Sequence, residues 1–252
     1  MTLNEIAKSC VKTVARMSGR DIYAEDGLIT IHNHTFLEDR EFSKAYERGI
    51  AAAQYDHQFR WRVHVALWVA SNASKLEGDF VECGVNFGVM SSAMMAALNW
   101  DSLNKKFFLL DTFQGMDERF VSEAEKQAGY LEANKKNLSS KYYVSKIESV
   151  KQNFAEWKNI SIIQGSVPET LEKVDSQKIA YLHLDMNCSF PEVAALKFFW
   201  DKMVSCGLVL FDDYANANFK LSKIELDQAA AELKVQILSL PTGQGLIIRP
   251  PH

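Results

Sequence analysis

Three aspartates stand where two apolar runs end. Asp185 follows Ile179–Leu184, and Asp212 and Asp213 follow Leu208–Phe211. Carboxylates crowded into a small volume repel one another and raise their own pKa values. A hard divalent cation with all-oxygen ligation, Mg²⁺ or Ca²⁺, relieves that conflict. The plainer alternative is that Asp212 or Asp213 caps the turn that follows. A second group lies upstream, with Glu82 inside an apolar run, Gly84 and Gly88 after it, and Asp111 at the end of Phe107–Leu110. Paired glycines let the backbone turn tightly against a ligand, and a carboxylate within an apolar strand needs a partner. An acid at a strand tip can accept both hydroxyls of a ribose. Together they favour an adenosine-containing ligand, with Asp111 as a turn cap the alternative. The full G-x-G-x-x-G spacing of nicotinamide and flavin sites is missing. So are the P-loop, G-x-S-x-G and H-E-x-x-H motifs.

These residues need elements to hold them. Short apolar runs, Asp79–Cys83, Phe107–Leu110, Ile160–Ile163, Ile179–Leu184, Leu208–Phe211, Val235–Leu238 and Leu246–Ile248, alternate with longer helical patterns. Runs apolar on both faces are strands buried between helix layers. The expected fold is therefore α/β, a Rossmann-like doubly wound sheet of seven strands, mostly parallel. The short link Ser239–Gly245 makes the last two strands an antiparallel C-terminal hairpin. Val193, Leu196, Trp200, Met203 and Val204 read as one helical stripe. Ser166-Val-Pro-Glu169 and Ser189-Phe-Pro-Glu192 read as capping boxes with proline in the first turn, each starting a helix. Residues 1 to about 77 read as mostly helical around an irregular patch at Asp21–Asn33. Residues 1–54 are expected to form an N-terminal helical extension, and 55–252 the principal domain.

Composition sets the outer bounds. The chain has 252 residues, 47% of them hydrophobic and 24% charged, with 5 prolines. It is therefore a globular chain and not a disordered or fibrous one. Lys+Arg 28 against Asp+Glu 32 gives a net charge of -4, which leaves no electrostatic case for nucleic acid as partner. The longest uncharged run is broken by glycine, asparagine and serine, so no membrane span is expected. The 4 cysteines have neither zinc nor redox spacing and read as free thiols of a cytoplasmic protein.

Gly78-Asp79-Phe80-Val81-Glu82-Cys83-Gly84-Val85, Leu110-Asp111-Thr112-Phe113-Gln114-Gly115, Gln164-Gly165-Ser166 and Phe211-Asp212-Asp213-Tyr214 resemble the macrocin O-methyltransferase family. Its members are class I S-adenosyl-L-methionine enzymes that methylate sugar hydroxyls of macrolide and aminocoumarin antibiotics. The resemblance implies that Glu82, Gly84 and Gly88 line the methionine side of the cofactor. It implies Asp111 on the ribose, Gly165 and Ser166 beside the adenine, and Tyr55 in a covering segment. It further implies a Mg²⁺ on Asp185, Asp212 and Asp213. The family pattern places a second aspartate, the expected base, where this chain has Asn187. An amide takes no proton at neutral pH, so activation falls to the metal or to another base, with His183 the nearest in sequence. The expected partner is a small-molecule hydroxyl acceptor, and a homo-oligomer stays open. The substitution at Asn187 also keeps a non-catalytic, cofactor-binding relative as the rival reading.

Overall fold

The computed structural model describes residues 21–251, together with Thr13 and Gly19. The helical expectation for residues 1–20 and the thiol of Cys10 therefore lie outside the described residues. The first strands among the described residues form a two-stranded antiparallel ribbon, β1 (Tyr23–Glu25) and β2 (Leu28–Thr30). Sequence reading left this stretch irregular. Asp26 and Gly27 between the strands have φ of 47° and 76°, the left-handed pair that a two-residue hairpin turn requires.

Helices α1 (Arg40–Ala53) and α2 (Arg60–Ala73) follow. The sheet then begins with β3 (Asp79–Cys83), α3 (Val89–Ala97) and β4 (Phe107–Asp111). A long connection carries α4 (Glu123–Gln127), α5 (Tyr130–Ser139) and α6 (Ile147–Asn153) before β5 (Ile160–Gln164). After it come β6 (Ile179–Leu184), α7 (Ser189–Trp200), β7 (Met203–Phe211), α8 (Lys220–Glu232), β8 (Leu238–Ser239) and β9 (Gly245–Ile248). The seven sheet strands lie in the order β5-β4-β3-β6-β7-β9-β8. All pair in parallel except β9, which runs antiparallel to both β7 and β8.

Strand alternation divides the core into two layers. Phe80, Phe107, Leu109, Tyr181, Leu208 and Leu210 face α1, α2 and α3. Val81, Phe108, Leu110, Leu182, Leu184, Val209 and Phe211 face α7 and α8. Phe42 and Tyr46 of α1 belong to the first of these layers, so a division at residue 54 does not separate two cores.

Four expectations change. Of the run Val235–Leu238, only Leu238 joins a strand, β8. Met203 and Val204 leave the helical stripe, because α7 ends at Trp200 and both residues belong to β7. No helix starts at Ser166. Its hydroxyl donates to Asp117 (2.5 Å), and Glu169 is taken by Arg119 (2.8 Å), so the reciprocal bonds of the box are not made. At Ser189 a helix does start, but without the box: Glu192 instead accepts from the amides of Met186 and Asn187, both at 3.0 Å. Among the described residues no helix is long and apolar enough to cross a membrane.

Candidate active site

A cavity of about 490 Å³ opens at the carboxyl ends of β3, β4, β6 and β7, where ligands collect in open α/β sheets. Gly84 forms its floor with φ of 90°, and any side chain there would overlap the carbonyl oxygen of Asp185. Gly88 stands aside from the cavity. It begins α3 with φ of 84°, packed against the ring of Phe154, so its role is the turn rather than a ligand contact. Gly165 and Ser166 lie on the wall beyond Asp111.

The carboxylate of Asp111 is committed to backbone. Its Oδ2 accepts from the amides of Val85 (2.7 Å) and Asn86 (2.8 Å), and its Oδ1 accepts from the amide of Phe113 (2.6 Å). It pins the turn after β3 to the turn after β4. The side chain of Asn86 extends the clamp, donating to the carbonyl of Tyr142 (3.1 Å) and accepting from the amide of Val144 (2.8 Å). Tyr142 and Tyr143 thereby form part of the cavity wall, with the Tyr142 ring edge-on to His57 at 4.9 Å. Tyr55 stays outside. It is 64% exposed, with its ring against His57. Burial lowers the His57 pKa against the pull of Asp56, so this cavity-lining imidazole is neutral at pH 7.

Asp185, Asp212 and Asp213 do converge. Each offers an oxygen within 4.8 Å of the other two. Arg62 enters the same cluster from α2. Its Nη1 donates to Asp212 Oδ2 (2.8 Å), the Asp212 carbonyl (2.9 Å) and Asp213 Oδ1 (3.0 Å), while its Nε donates to Asp26 Oδ2 (2.5 Å). Asp212 also accepts from Gln244 (3.0 Å), and Asp213 from Asn216 (2.8 Å). Burial would raise the Asp212 carboxyl, but Arg62 and His183 hold it well below the usual carboxylate range. Asp185 has no cation in contact. Burial, then the charges of Asp212 and Asp213, push it far up, and its nearest polar neighbour is the Asn187 amide at 3.3 Å. Three carboxylates (Asp26, Asp212 and Asp213) thus share one guanidinium, and Asp185 stands beside them without a cation of its own.

His183 does not reach the cavity. It is fully buried, with Nδ1 at 2.8 Å from Glu82 Oε1 and Nε2 at 3.9 Å from Asp212 Oδ1. Burial lowers its pKa, but Asp212 and Glu82 outweigh this and push it up to about 10. That direction favours the protonated ring, and the side chain faces Glu82 and Asp212 instead of the cavity. Asn187, at φ of 55°, lines the cavity as an amide that can orient a hydroxyl but not deprotonate it. Glu82 leans on His183, and its other oxygen, Oε2, has no protein partner although the residue lines the cavity.

Sequence reasoning missed Asp26, Arg62 and Asn86. The Asp26-Gly27 pair is a hairpin signal, and Arg62 is a charge within the buried stripe of α2 (Arg62, Val63, Ala66, Val69, Ala70). Nothing local marks Asn86 as a clamp.

A glycine turn, an acid at the next strand tip and clustered carboxylates, set on this strand order, define an α/β methyltransferase. The sequence model of the macrocin O-methyltransferase (TylF) family matches residues 62–237. The chain belongs to that family and is a methyltransferase. Among solved structures it resembles the O-methyltransferase NovP, at 22% identity over 75% of this chain and 79% of that one, with a TM-score of 0.63. It also resembles the calicheamicin methyltransferase CalS11 (14% identity, 83% and 93% of the two chains, TM-score 0.56). The SAH-bound methyltransferase PaMTH1 of Podospora anserina shares 13% identity over 100% of this chain and 98% of that one, with a TM-score of 0.52. A search of curated proteins gives no match.

Proposed function

We propose that the protein is a Mg²⁺-dependent O-methyltransferase that uses S-adenosyl-L-methionine and acts on a hydroxyl of a sugar-like small molecule. The observation that carries this reading is the convergence of Asp185, Asp212 and Asp213 in the cavity that the Gly84 turn floors. The donor set suits a hard cation, because it is all oxygen and repels itself without one. The unpartnered Oε2 of Glu82 suits a cationic group of the cofactor. When both are bound, the cofactor supplies an electrophilic methyl and the cation acidifies a coordinated hydroxyl.

The chain's own residues do the rest. Arg62 and His183 keep Asp212 ionised inside the protein, so it remains a ligand rather than a neutral acid. Asn187 orients the acceptor hydroxyl by hydrogen bonding. Phe59, Tyr142, Tyr143 and Phe219 line the cavity with aromatic surface. Positioning accounts for most of the rate in such a transfer. The sugar-like acceptor follows from the family together with CalS11, a structure of which is described as a TDP-rhamnose 3'-O-methyltransferase.

The test is calorimetric titration with S-adenosylmethionine and with NAD⁺, each with and without Mg²⁺, followed by methyl transfer to a panel of glycosides. The expected result is S-adenosylmethionine binding, no NAD⁺ binding, and transfer that stops in excess chelator. Asp185→Asn should keep cofactor affinity and lose transfer. Transfer that persists in chelator removes the metal, and NAD⁺ binding overturns the cofactor.

A further inference from the structure

We propose that Asp26, in the turn of the N-terminal ribbon, is a positioning residue of the active site. It holds Arg62 against Asp212 and Asp213 and so sets how tightly the carboxylate cluster takes a divalent cation. This rests on the metal reading above. The ribbon lies before residue 62, where the family match begins, and it is nevertheless built into the site. Three consecutive residues of α2 grip it. Arg60 Nη1 donates to Glu25 (2.7 Å), the amide of Trp61 donates to the Tyr23 hydroxyl (3.2 Å), and Arg62 Nε donates to Asp26 (2.5 Å). The rings of Tyr23 and Trp61 meet edge to face at 5.1 Å. The left-handed turn at Asp26 and Gly27 aims the carboxylate back at the helix, and Asp26 lines the same cavity as the cluster.

A guanidinium is a rigid planar fork. Anchoring its Nε on Asp26 fixes where Nη1 lies, between Asp212 Oδ2 and Asp213 Oδ1. The anchor also keeps part of the Arg62 charge directed away from the two metal-facing aspartates. Without it the fork is free to turn its remaining donors onto Asp212 and Asp213, where they compete with a cation. That competition weakens metal binding.

The experiment uses the full chain and Mn²⁺ as probe, with free Mn²⁺ followed by electron paramagnetic resonance and no substrate present. Asp26→Asn should weaken Mn²⁺ binding about tenfold, the scale of one charge-assisted hydrogen bond turned onto the ligand carboxylates. Arg62→Met should tighten it, and adding Asp26→Asn to Arg62→Met should change it by no more than about twofold, because the intermediary is gone. Unchanged affinity in Asp26→Asn overturns the proposal. So does an equal loss in both backgrounds, which would mean a through-space charge effect and no positioning. A metal-independent readout guards against misfolding of Arg62→Met. With ¹⁵N-arginine label, the Nε–H and Nη signals of Arg62 should be protected from exchange in the wild type, and in Asp26→Asn the Nε–H should lose protection while the Nη signals keep theirs on Asp212 and Asp213. An Nε–H that stays protected in Asp26→Asn, or Nη signals that lose protection there, overturn the proposal even if the wild type takes up no Mn²⁺. That last outcome would overturn the metal reading alone.

Discussion

Replacing Asp111 by alanine should cost stability and cofactor affinity together. The carboxylate accepts three backbone amides, those of Val85, Asn86 and Phe113, at 2.6–2.8 Å. Charge-assisted bonds contribute roughly 1.5–3 kcal/mol each before losses are shared. Asp111 is only partly buried, so water re-solvates the freed amides and the three losses are not additive. We expect a net cost of about 3 kcal/mol, which lowers Tm by roughly 6–12 °C in a chain of this size. The same change frees the turn after β3 that the cofactor must meet, so S-adenosylmethionine affinity should fall by a comparable ~2–4 kcal/mol. The assay is denaturant unfolding without ligand beside calorimetric cofactor titration of the folded variant. An alanine variant with wild-type stability but weakened cofactor binding would show that the carboxylate serves the ribose and not the two turns. Wild-type values in both would refute the assignment altogether.

Asn86→Ala should release the Tyr142–Val144 segment, whose carbonyl and amide it clamps at 3.1 and 2.8 Å. Faster amide exchange confined to residues 142–144 and the β3 turn is the expected signature, and unchanged protection there would remove the clamp. Glu192 gives a pH test. Burial pushes its pKa from 4.5 up to about 8, opposed by the amides of Met186 and Asn187 and aided by Asp213. The folded protein therefore holds the proton more tightly than the unfolded chain, and stability falls as pH rises between about 4.5 and about 8. Glu192→Gln keeps an oxygen for both amides and cannot titrate, so its stability relative to wild type should climb across that window in urea melts at stepped pH. A constant difference would place the Glu192 titration elsewhere.

The sheet was legible because buried strands write themselves as short apolar runs. Asp79–Cys83 and Ile179–Leu184 coincide with β3 and β6 to the residue. The carboxylates were legible for a related reason: a charge directly after an apolar run sits at a strand end, and parallel pairing brings strand ends together. Sequence also offered His183 as the nearest alternative base. What it could not give was protonation. That depends on Glu82 across the β3–β6 register and on Asp212 beyond it, whose charges push the His183 pKa upward against burial. Partner choice was hidden in the same way. The Ser166 and Ser189 boxes satisfy a local rule, yet Asp117, Arg119 and the Met186–Asn187 amides claim their side chains first. Asp111 reads locally as an open carboxylate, and only the packed turns show that three amides already hold it. Arg62 lies 150 positions from Asp212, and Asp26 reaches it from a ribbon that precedes both. Periodicity along a chain determines which way a residue points. Which opposite charge it meets is decided by distant segments folding onto the same strand ends, and in a buried site that meeting fixes the charge itself.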